Sequence, residues 1–329
     1  MSALTIVSLN TAPRDELFDP VRAIDGVELV HVDHRVSWEE ISARRTGQPL
    51  PEPEPISDDV RATLARADVV FTAEHLIFPN EIHTPYPYGG RFPYPVDDPV
   101  LDPPATLAWV AALTRHVRLG ASVMVLPYRE PIALAKALAT IDVLSGGRLM
   151  VGVASGWLRE EFELLGVPFH ERGARTDEYL AALRALWTEE RVTFRGRWVK
   201  LDEAAFFPKP IQKPHPPIWI GGRSPAAFRR VARFGDGWLA VPRSPDELAA
   251  DVAAIRRKAE AIGRDPGGIG VAASGGARSV SELLDRLPAL ERAGATIVTV
   301  PAIFWATGIT QAIELMDEFA ARAGLPRRD

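Results

Sequence analysis

The chain of 329 residues contains no cysteine. Disulfide bonds, thiolate nucleophiles and cysteine-ligated metal sites are therefore excluded, which fits a reducing compartment. The sequence also lacks an apolar run near the ~18 residues of a membrane-spanning helix. Its start, MSALTIVSLN, has neither the basic residues nor the long apolar core of a signal peptide. We expect a cytoplasmic protein with no membrane partner.

Two further absences narrow the function. The net charge of −5 gives no basic surface for a nucleic acid. There is neither a GxGxxG fingerprint nor a GK[ST] loop, so a classical NAD or ATP site is unsupported. We expect a small-molecule partner and no metal, and the sequence leaves open whether the protein forms a homodimer.

From about residue 67 onward, short apolar runs rich in β-branched residues alternate with segments of helical periodicity. Runs of this kind are typical of parallel strands that are buried on both faces. Seven such βα units, with one more from residues 1–66, predict a (β/α)₈ TIM barrel that forms a single domain over residues 1–329. The predicted strands are 67–72, 117–126, 148–154, 216–222, 237–241, 268–274 and 296–301.

Two segments depart from this regular pattern. Residues 1–66 are atypical because they offer two candidates for the first strand, 4–10 and 27–33, and the choice between them stays open. After the strand at 67–72 comes a long insertion, residues 78–104, that is rich in proline and aromatic residues. Such an excursion at the catalytic end of a barrel is often functional. Its aromatic side chains either roof a pocket or pin the loop: Tyr86, Tyr88, Phe92 and Tyr94.

The turn after the strand at 216–222 has the composition of an anion site. Gly221 and Gly222 carry no side chains, Ser224 is placed to cap the next helix, and Pro225 suits its first position. Free backbone N–H groups at a helix start bind phosphate, and Arg223 lies alongside. The alternative is an ordinary tight βα turn.

Polar side chains also follow two other strands. His75, beside Glu74, comes just after the strand at 67–72, where an imidazole can bind a cofactor ring or move a proton. Alternatively, His75 anchors the insertion. After the strand at 148–154, Ser155 and Gly156 leave room, and Trp157 is either a pocket wall or a core residue. Two carboxylates come next, Glu160 and Glu161, and we interpret Glu161 as a solvated surface residue.

Residues 118–187, RLGASVMVLPYREP through LAALRALW, and residues 208–241, PKPIQKPHPPIWIGGRSP through GWLAV, resemble the luciferase-like monooxygenase superfamily. With the loop YPYGGRFPYP, they resemble more narrowly its coenzyme F420-dependent oxidoreductases. The resemblance implies that a deazaflavin or flavin ring lies over a non-proline cis peptide at Ser122–Val123. Small residues at 120–122 would admit the ring. It also implies that Glu74 and His75 form the family's acid–histidine pair.

The resemblance also implies a function. Its phosphate-binding glycines match Gly221 and Gly222. Sugar-phosphate dehydrogenases of this branch carry a catalytic Glu where this chain has Trp157, so sugar-phosphate oxidation is not expected. We predict an F420-dependent oxidoreductase that transfers a hydride at the deazaflavin C5. An FMN-dependent monooxygenase and a non-catalytic flavin- or F420-binding protein are the alternatives. The predicted site comprises catalytic His75 and Glu74; cofactor-binding Ser122, Val123, Ser155, Gly156, Glu160, Gly221, Gly222 and Arg223; and substrate-pocket Phe78, Trp157 and Trp238.

Overall fold

The computed structural model of the chain describes residues 6–8, 68–87, 92, 96, 100–241, 243–302, 305–306 and 309–325. Its first strand, β1 (Ile6–Ser8), pairs in parallel with β2 (Val69–Thr72), with Ile6 opposite Val69. The first barrel strand is therefore the earlier of the two sequence candidates. The other candidate and the rest of residues 1–66 lie outside the described residues.

The strands run in parallel in the order β1, β2, β3, β5, β8, β9, β10, β11, with the short β4 beside β5. This unbroken parallel series is the arrangement of the predicted (β/α)₈ barrel. The remaining strands of the series are β3 (Arg118–Ala121), β4 (Met124–Val125), β5 (Leu149–Ala154), β8 (Ile218–Gly221), β9 (Gly237–Leu239), β10 (Gly270–Ala273) and β11 (Ile297–Val298).

In the parallel strands from β2 onward, nearly all described residues are buried, whichever face of the sheet they point to. Val69 and Phe71 point into the barrel, where they pack with Met150 and Trp219. Val70, between them in sequence, packs instead into the layer between sheet and helices. The continuous apolar runs of the sequence follow from this two-sided burial.

Helices alternate with the strands, as the periodicity of the sequence predicted. Two of them begin at a serine N-cap with proline in the first turn: Ser224 accepts from Ala227 N, and Ser244 from Glu247 N. The described helices are α1 (Pro103–Leu113), α2 (Pro131–Leu144), α3 (Arg159–Leu164), α4 (Arg172–Thr188), α5 (Pro225–Phe234), α6 (Pro245–Glu260), α7 (Val280–Arg292) and α8 (Ile309–Arg322). None of the described helices is long and apolar enough to cross a membrane.

A hairpin that the sequence did not predict lies outside the barrel. Strands β6 (Arg191–Arg195) and β7 (Lys200–Ala205) pair antiparallel. Their turn is fixed by Glu178 of α4, whose carboxylate accepts the backbone N–H groups of residues 197, 198 and 199 at 2.7–2.8 Å. The hairpin is mostly exposed and polar, so it lacks the apolar run on which the strand predictions depended.

Candidate active site

A cavity of about 1220 Å³ opens at the carboxyl ends of the strands. Its wall combines residues that follow β2, β3, β5, β8, β9, β10 and β11 with residues of the insertion. A volume of this size can hold a large cofactor and a substrate together. The cavity therefore lies at the end of the barrel where barrel enzymes carry out their chemistry.

The floor of the cavity includes the break between β3 and β4. The peptide bond Ser122–Val123 is cis, as the resemblance implied, and both residues line the cavity. Val123 also packs against the end of β8, since a Cβ atom on Gly221 would lie 2.9 Å from Val123 Cγ1. Because Gly221 has no side chain, the Ser122–Val123 peptide, which we call the platform, can lie close to the turn after β8.

The other small residues of this strand serve the core and not the cavity. A Cβ atom on Gly120 would lie 2.5 Å from Phe71 Cε1, and Ala121 has no exposed surface. Gly120 therefore accommodates the ring of Phe71. Of the three small residues expected to admit a cofactor ring, Ser122 alone faces the cavity.

The turn after β8 leads into the start of α5, where Ser224 is the N-cap and the first turn contains no carboxylate. Gly222 has φ +107°, a conformation that favours glycine. Helix α6 makes an informative comparison, since it also starts with Arg-Ser-Pro. There Glu247 accepts the N–H of Ser244 at 3.1 Å and completes a capping box. A carboxylate of the chain thus occupies the start of α6, whereas the start of α5 faces the cavity without one.

Two predicted residues lie around this turn. Arg223 is exposed at the cavity wall and donates from its guanidinium to the carbonyl of Pro87 at 2.8 Å, so it also ties the insertion to the turn. Trp238 is completely buried, packs edge-on against Phe228 and donates its indole N–H to Gly222 O at 2.8 Å. The structure thus places Trp238 beneath the turn, where it supports Gly222, and not in the pocket wall.

His75 lines the cavity and is held from behind by Glu161. The distance from His75 Nδ1 to Glu161 Oε2 is 2.7 Å. Glu161 has no exposed surface, which corrects its interpretation as a solvated carboxylate. The short helix α3 turns this side chain back toward the segment that follows β2, where it also accepts the N–H of Leu76 at 2.7 Å. Burial and then the neighbouring charge of Glu161 raise the pKa of Tyr128, whose hydroxyl donates to the same carboxylate.

Aromatic rings pack around His75; of these, Phe92 and Trp157 line the cavity and Phe78 does not. Phe78 stacks on the imidazole at 4.6 Å between ring centroids, and Phe92 meets it edge-on at 5.3 Å. Trp157 lines the cavity and is not a core residue; its ring lies 5.3 Å from Tyr86 and 5.5 Å from Phe92. Tyr86 and Phe92 therefore roof the cavity, while Tyr88 and Tyr94 lie outside the described residues.

Glu74 is buried at the cavity edge and supports the platform. Its Oε2 accepts the N–H of Val125, and its Oε1 accepts from Arg129 Nε at 2.7 Å. Arg129 in turn pairs with Asp102, the N-cap of α1. Burial raises the pKa of Glu74, and the charge of Arg129 opposes the rise. Because both of its oxygens are engaged, this side chain positions the strand that follows Ser122–Val123.

The predicted cofactor contacts after β5 divide into two groups. Ser155 and Gly156 line the cavity, and Gly156 has φ +78°. Glu160 points away toward the insertion, where it accepts the N–H groups of His83 and Thr84 and the Thr84 hydroxyl at 2.6–2.9 Å. Burial opposes its ionisation, but these hydrogen bonds outweigh burial and lower the pKa of Glu160 to about 2.

We expect Glu160→Gln to speed hydrogen exchange at the amides of His83 and Thr84, because an amide oxygen is a weaker acceptor than a carboxylate. The contact should persist in the native protein well into the acidic range. The folded pKa of about 2 lies below the ordinary value of 4.5. The contribution of Glu160 to stability is therefore complete above about pH 4.5 and is lost as the pH falls through about 2.

Glu163→Gln, at an exposed site on the same helix, is the control for the exchange measurement. Equal exchange in the two variants, measured by mass spectrometry, would contradict the assignment.

The sequence profile of the luciferase-like monooxygenase family matches residues 67–282, and the chain belongs to this family. An uncharacterised protein of Mycobacterium tuberculosis (strain ATCC 25618 / H37Rv) is 38% identical over 179 residues, which cover 54% of this chain and 63% of that protein. An FMNH₂-dependent dimethylsulfone monooxygenase of Pseudomonas putida is 37% identical over 155 residues, 46% of this chain and 42% of the enzyme. The chain thus matches less than two thirds of the length of these relatives.

A solved structure shows the same fold. An F420-dependent secondary alcohol dehydrogenase, bound to an F420–acetone adduct, superposes with a TM-score of 0.66 over 97% of this chain and 98% of the other. Its sequence identity of 15% supports the fold alone. The profile match therefore identifies the chain as a member of the luciferase-like monooxygenase family, and the chain shares a fold with an F420-dependent structural neighbour and sequence similarity with an FMNH₂-dependent relative.

Proposed function

We propose that the protein is an F420-dependent oxidoreductase that transfers a hydride between C5 of the deazaflavin and a small organic substrate. One observation carries the proposal. The cis Ser122–Val123 platform, His75, and the start of α5, which no acid of its own first turn caps, all face one cavity. A single site therefore offers a surface for a flat ring, a side chain that can exchange a proton, and a helix start that can bind a phosphate.

Each residue has a separate task in this proposal. Ser122 and Val123 support one face of the ring. Gly222 and its neighbours bind the phosphate through backbone N–H groups, reinforced by the charge of Arg223. His75 holds or moves a proton near the reacting atoms, while the rings that roof the cavity exclude water. When bound, F420 supplies C5 as the position that takes up or gives a hydride, and the protein supplies orientation and electrostatics.

The charge beyond the phosphate turn favours F420 over FMN. On the side of β9 and β10 the cavity is lined by Arg243, Arg278 and Arg286. Arg243 pairs with Glu247, which also lines the cavity, and with Asp251, while Arg286 pairs with Glu282. These acidic residues offset part of the positive charge. F420 continues beyond its phosphate as an acidic chain, whereas FMN ends at the phosphate. A cation-lined extension of the cavity is therefore better matched to F420.

An FMN-dependent monooxygenase is the second candidate, because a relative that is 37% identical is an FMNH₂-dependent dimethylsulfone monooxygenase. Reduced flavin reacts with oxygen, whereas reduced deazaflavin does not, so the two candidates differ in whether turnover consumes oxygen. A third candidate, a protein that binds the cofactor without catalysis, would show binding and no turnover with any substrate.

Titration with each cofactor tests the proposal. We expect F420 to bind more tightly than FMN, measured for F420 by quenching of its fluorescence and for both by calorimetry. The preference should weaken as the salt concentration rises, since part of it is electrostatic. Tighter binding of FMN, together with oxygen consumption on addition of reduced FMN, would replace the proposal by the monooxygenase.

A further inference from the structure

The carboxylate of Glu161 makes four hydrogen-bond contacts and has no exposed surface. Its Oε1 accepts the N–H groups of Leu76 at 2.7 Å and Ile77 at 3.3 Å. Its Oε2 accepts the hydroxyl of Tyr128 at 3.0 Å and lies 2.7 Å from His75 Nδ1. Two of these partners are backbone donors and cannot reverse their role. With donors on both oxygens, the site binds a carboxylate, and a carboxylate can only accept from His75 Nδ1.

We propose that Glu161 is a positioning residue that fixes neutral His75 as the tautomer with its proton on Nδ1. Nε2 is then the unprotonated ring nitrogen, free to act on the cavity side. It accepts a proton from a ligand group, and the doubly protonated ring, whose charge Glu161 balances, returns that proton. The inference rests on the proposed function only in assuming that a ligand in this cavity exchanges a proton with His75.

The surroundings of His75 favour this assignment. Tyr128 donates its hydroxyl to Glu161, and burial raises the pKa of this hydroxyl, so it stays protonated. Glu74, the adjacent acidic residue, is engaged by the N–H of Val125 and by Arg129. On the open side, the imidazole meets the rings of Phe78, Phe92 and Trp157, which offer no carboxylate or carbonyl. Among the described residues, Glu161 is therefore the group that meets the imidazole within hydrogen-bond distance and decides which nitrogen carries the proton.

The two oxygens of Glu161 have different partners: Oε1 accepts backbone N–H groups, and Oε2 meets His75 and Tyr128. This difference predicts the effect of Glu161→Gln. The introduced glutamine has one acceptor oxygen and one NH₂ group. The N–H groups of Leu76 and Ile77 require the oxygen on their side, so the NH₂ group faces His75 Nδ1. Nδ1 must then become an acceptor, and the proton moves to Nε2. We expect the substitution to invert the tautomer without removing the side chain's volume.

Nitrogen NMR of the full-length protein, labelled with ¹⁵N at histidine and free of cofactor, tests this directly. The spectra are recorded at alkaline pH, where imidazole is neutral, and His75→Asn identifies the resonances. We expect a protonated Nδ1 and a bare Nε2 in the native protein, and the reverse in Glu161→Gln. Glu160→Gln, the adjacent carboxylate that binds the insertion, should leave the native pattern. A bare Nδ1 in the native protein, or an unchanged pattern in Glu161→Gln, would overturn the inference.

A kinetic measurement completes the test and separates it from the proposed function. With saturating cofactor, Glu161→Gln should lower the single-turnover rate about 10²–10⁴-fold, while cofactor affinity changes little. An inverted tautomer with an unchanged rate would overturn the catalytic part of the inference. If Glu161→Gln does not fold, Tyr128→Phe leaves the carboxylate in place and must keep the Nδ1-protonated pattern. Failure of native protein to bind F420 would refute the proposed function without changing the tautomer result.

Discussion

Replacing His75 by alanine is expected to lower turnover about 10²–10⁴-fold, the range for loss of a positioned acid or base. The imidazole lines the cavity, is held by Glu161 at 2.7 Å, and stacks on Phe78. An alanine keeps neither the proton-exchanging nitrogen nor the donor to Glu161. The rate is measured in single turnovers with saturating F420 and a substrate found by screening with the cofactor-bound protein.

Two further variants separate chemistry from anchoring. His75→Asn can still donate an N–H to Glu161 but lacks the second ring nitrogen, so we expect it to keep the melting temperature and lose the rate. His83→Ala changes an exposed histidine of the same segment, whose ring lies 3.5 Å from Glu81, and should keep the rate. Full turnover by His75→Ala with a lowered melting temperature would show that His75 only anchors the insertion. Weaker cofactor binding with an unchanged single-turnover rate would make it a binding contact.

The barrel could be predicted from the sequence because its signals are local. The run at 216–222 is apolar and ends in two glycines, and the following Ser224 and Pro225 mark the start of α5. The hairpin at 191–205 could not be predicted in this way, because its turn is held by hydrogen bonds to Glu178, a residue of another element. Similarly, the strand predicted over 117–126 is interrupted at Ser122–Val123. The composition of the run does not show this break, and the resemblance to the family indicated it.

The candidate site shows the same distinction between residues that local sequence signals indicate and residues whose role depends on contacts with distant parts of the chain. The sequence indicated His75 and Gly222, since each lies at or just after the carboxyl end of a predicted strand. It did not indicate Glu161, because the contact with His75 spans 86 positions of the chain. The sequence places three acidic residues close together: Glu160, Glu161 and Glu163. Which of their side chains points toward His75 depends on where α3 begins. Knowing that Phe162 is buried would not separate its two neighbours, Glu161 and Glu163.

The second large effect is expected for Gly222→Val at the start of α5. A side chain at φ +107° is strained, and the new Cβ atom would lie 3.2 Å from the Cβ atom of Ala227. Relief of the strain rotates the turn and moves its N–H groups away from a bound phosphate. Leaving those polar groups unpaired costs about 1–3 kcal/mol, so the dissociation constant for F420 should rise roughly 5- to 150-fold.

Two controls make this result specific to the phosphate. Gly263→Val places the same side chain at φ +74° in open space after α6, so it carries comparable backbone strain remote from the cavity and should keep the native affinity. A deazaflavin without phosphate should bind the native protein and Gly222→Val about equally, because the altered turn then has no ligand to contact. Affinity is measured by fluorescence quenching, with the melting temperature of each cofactor-free variant recorded beside it. A folded Gly222→Val protein with the native dissociation constant for F420 would show that the turn is an ordinary connection, and the phosphate would then have to bind elsewhere in the cavity.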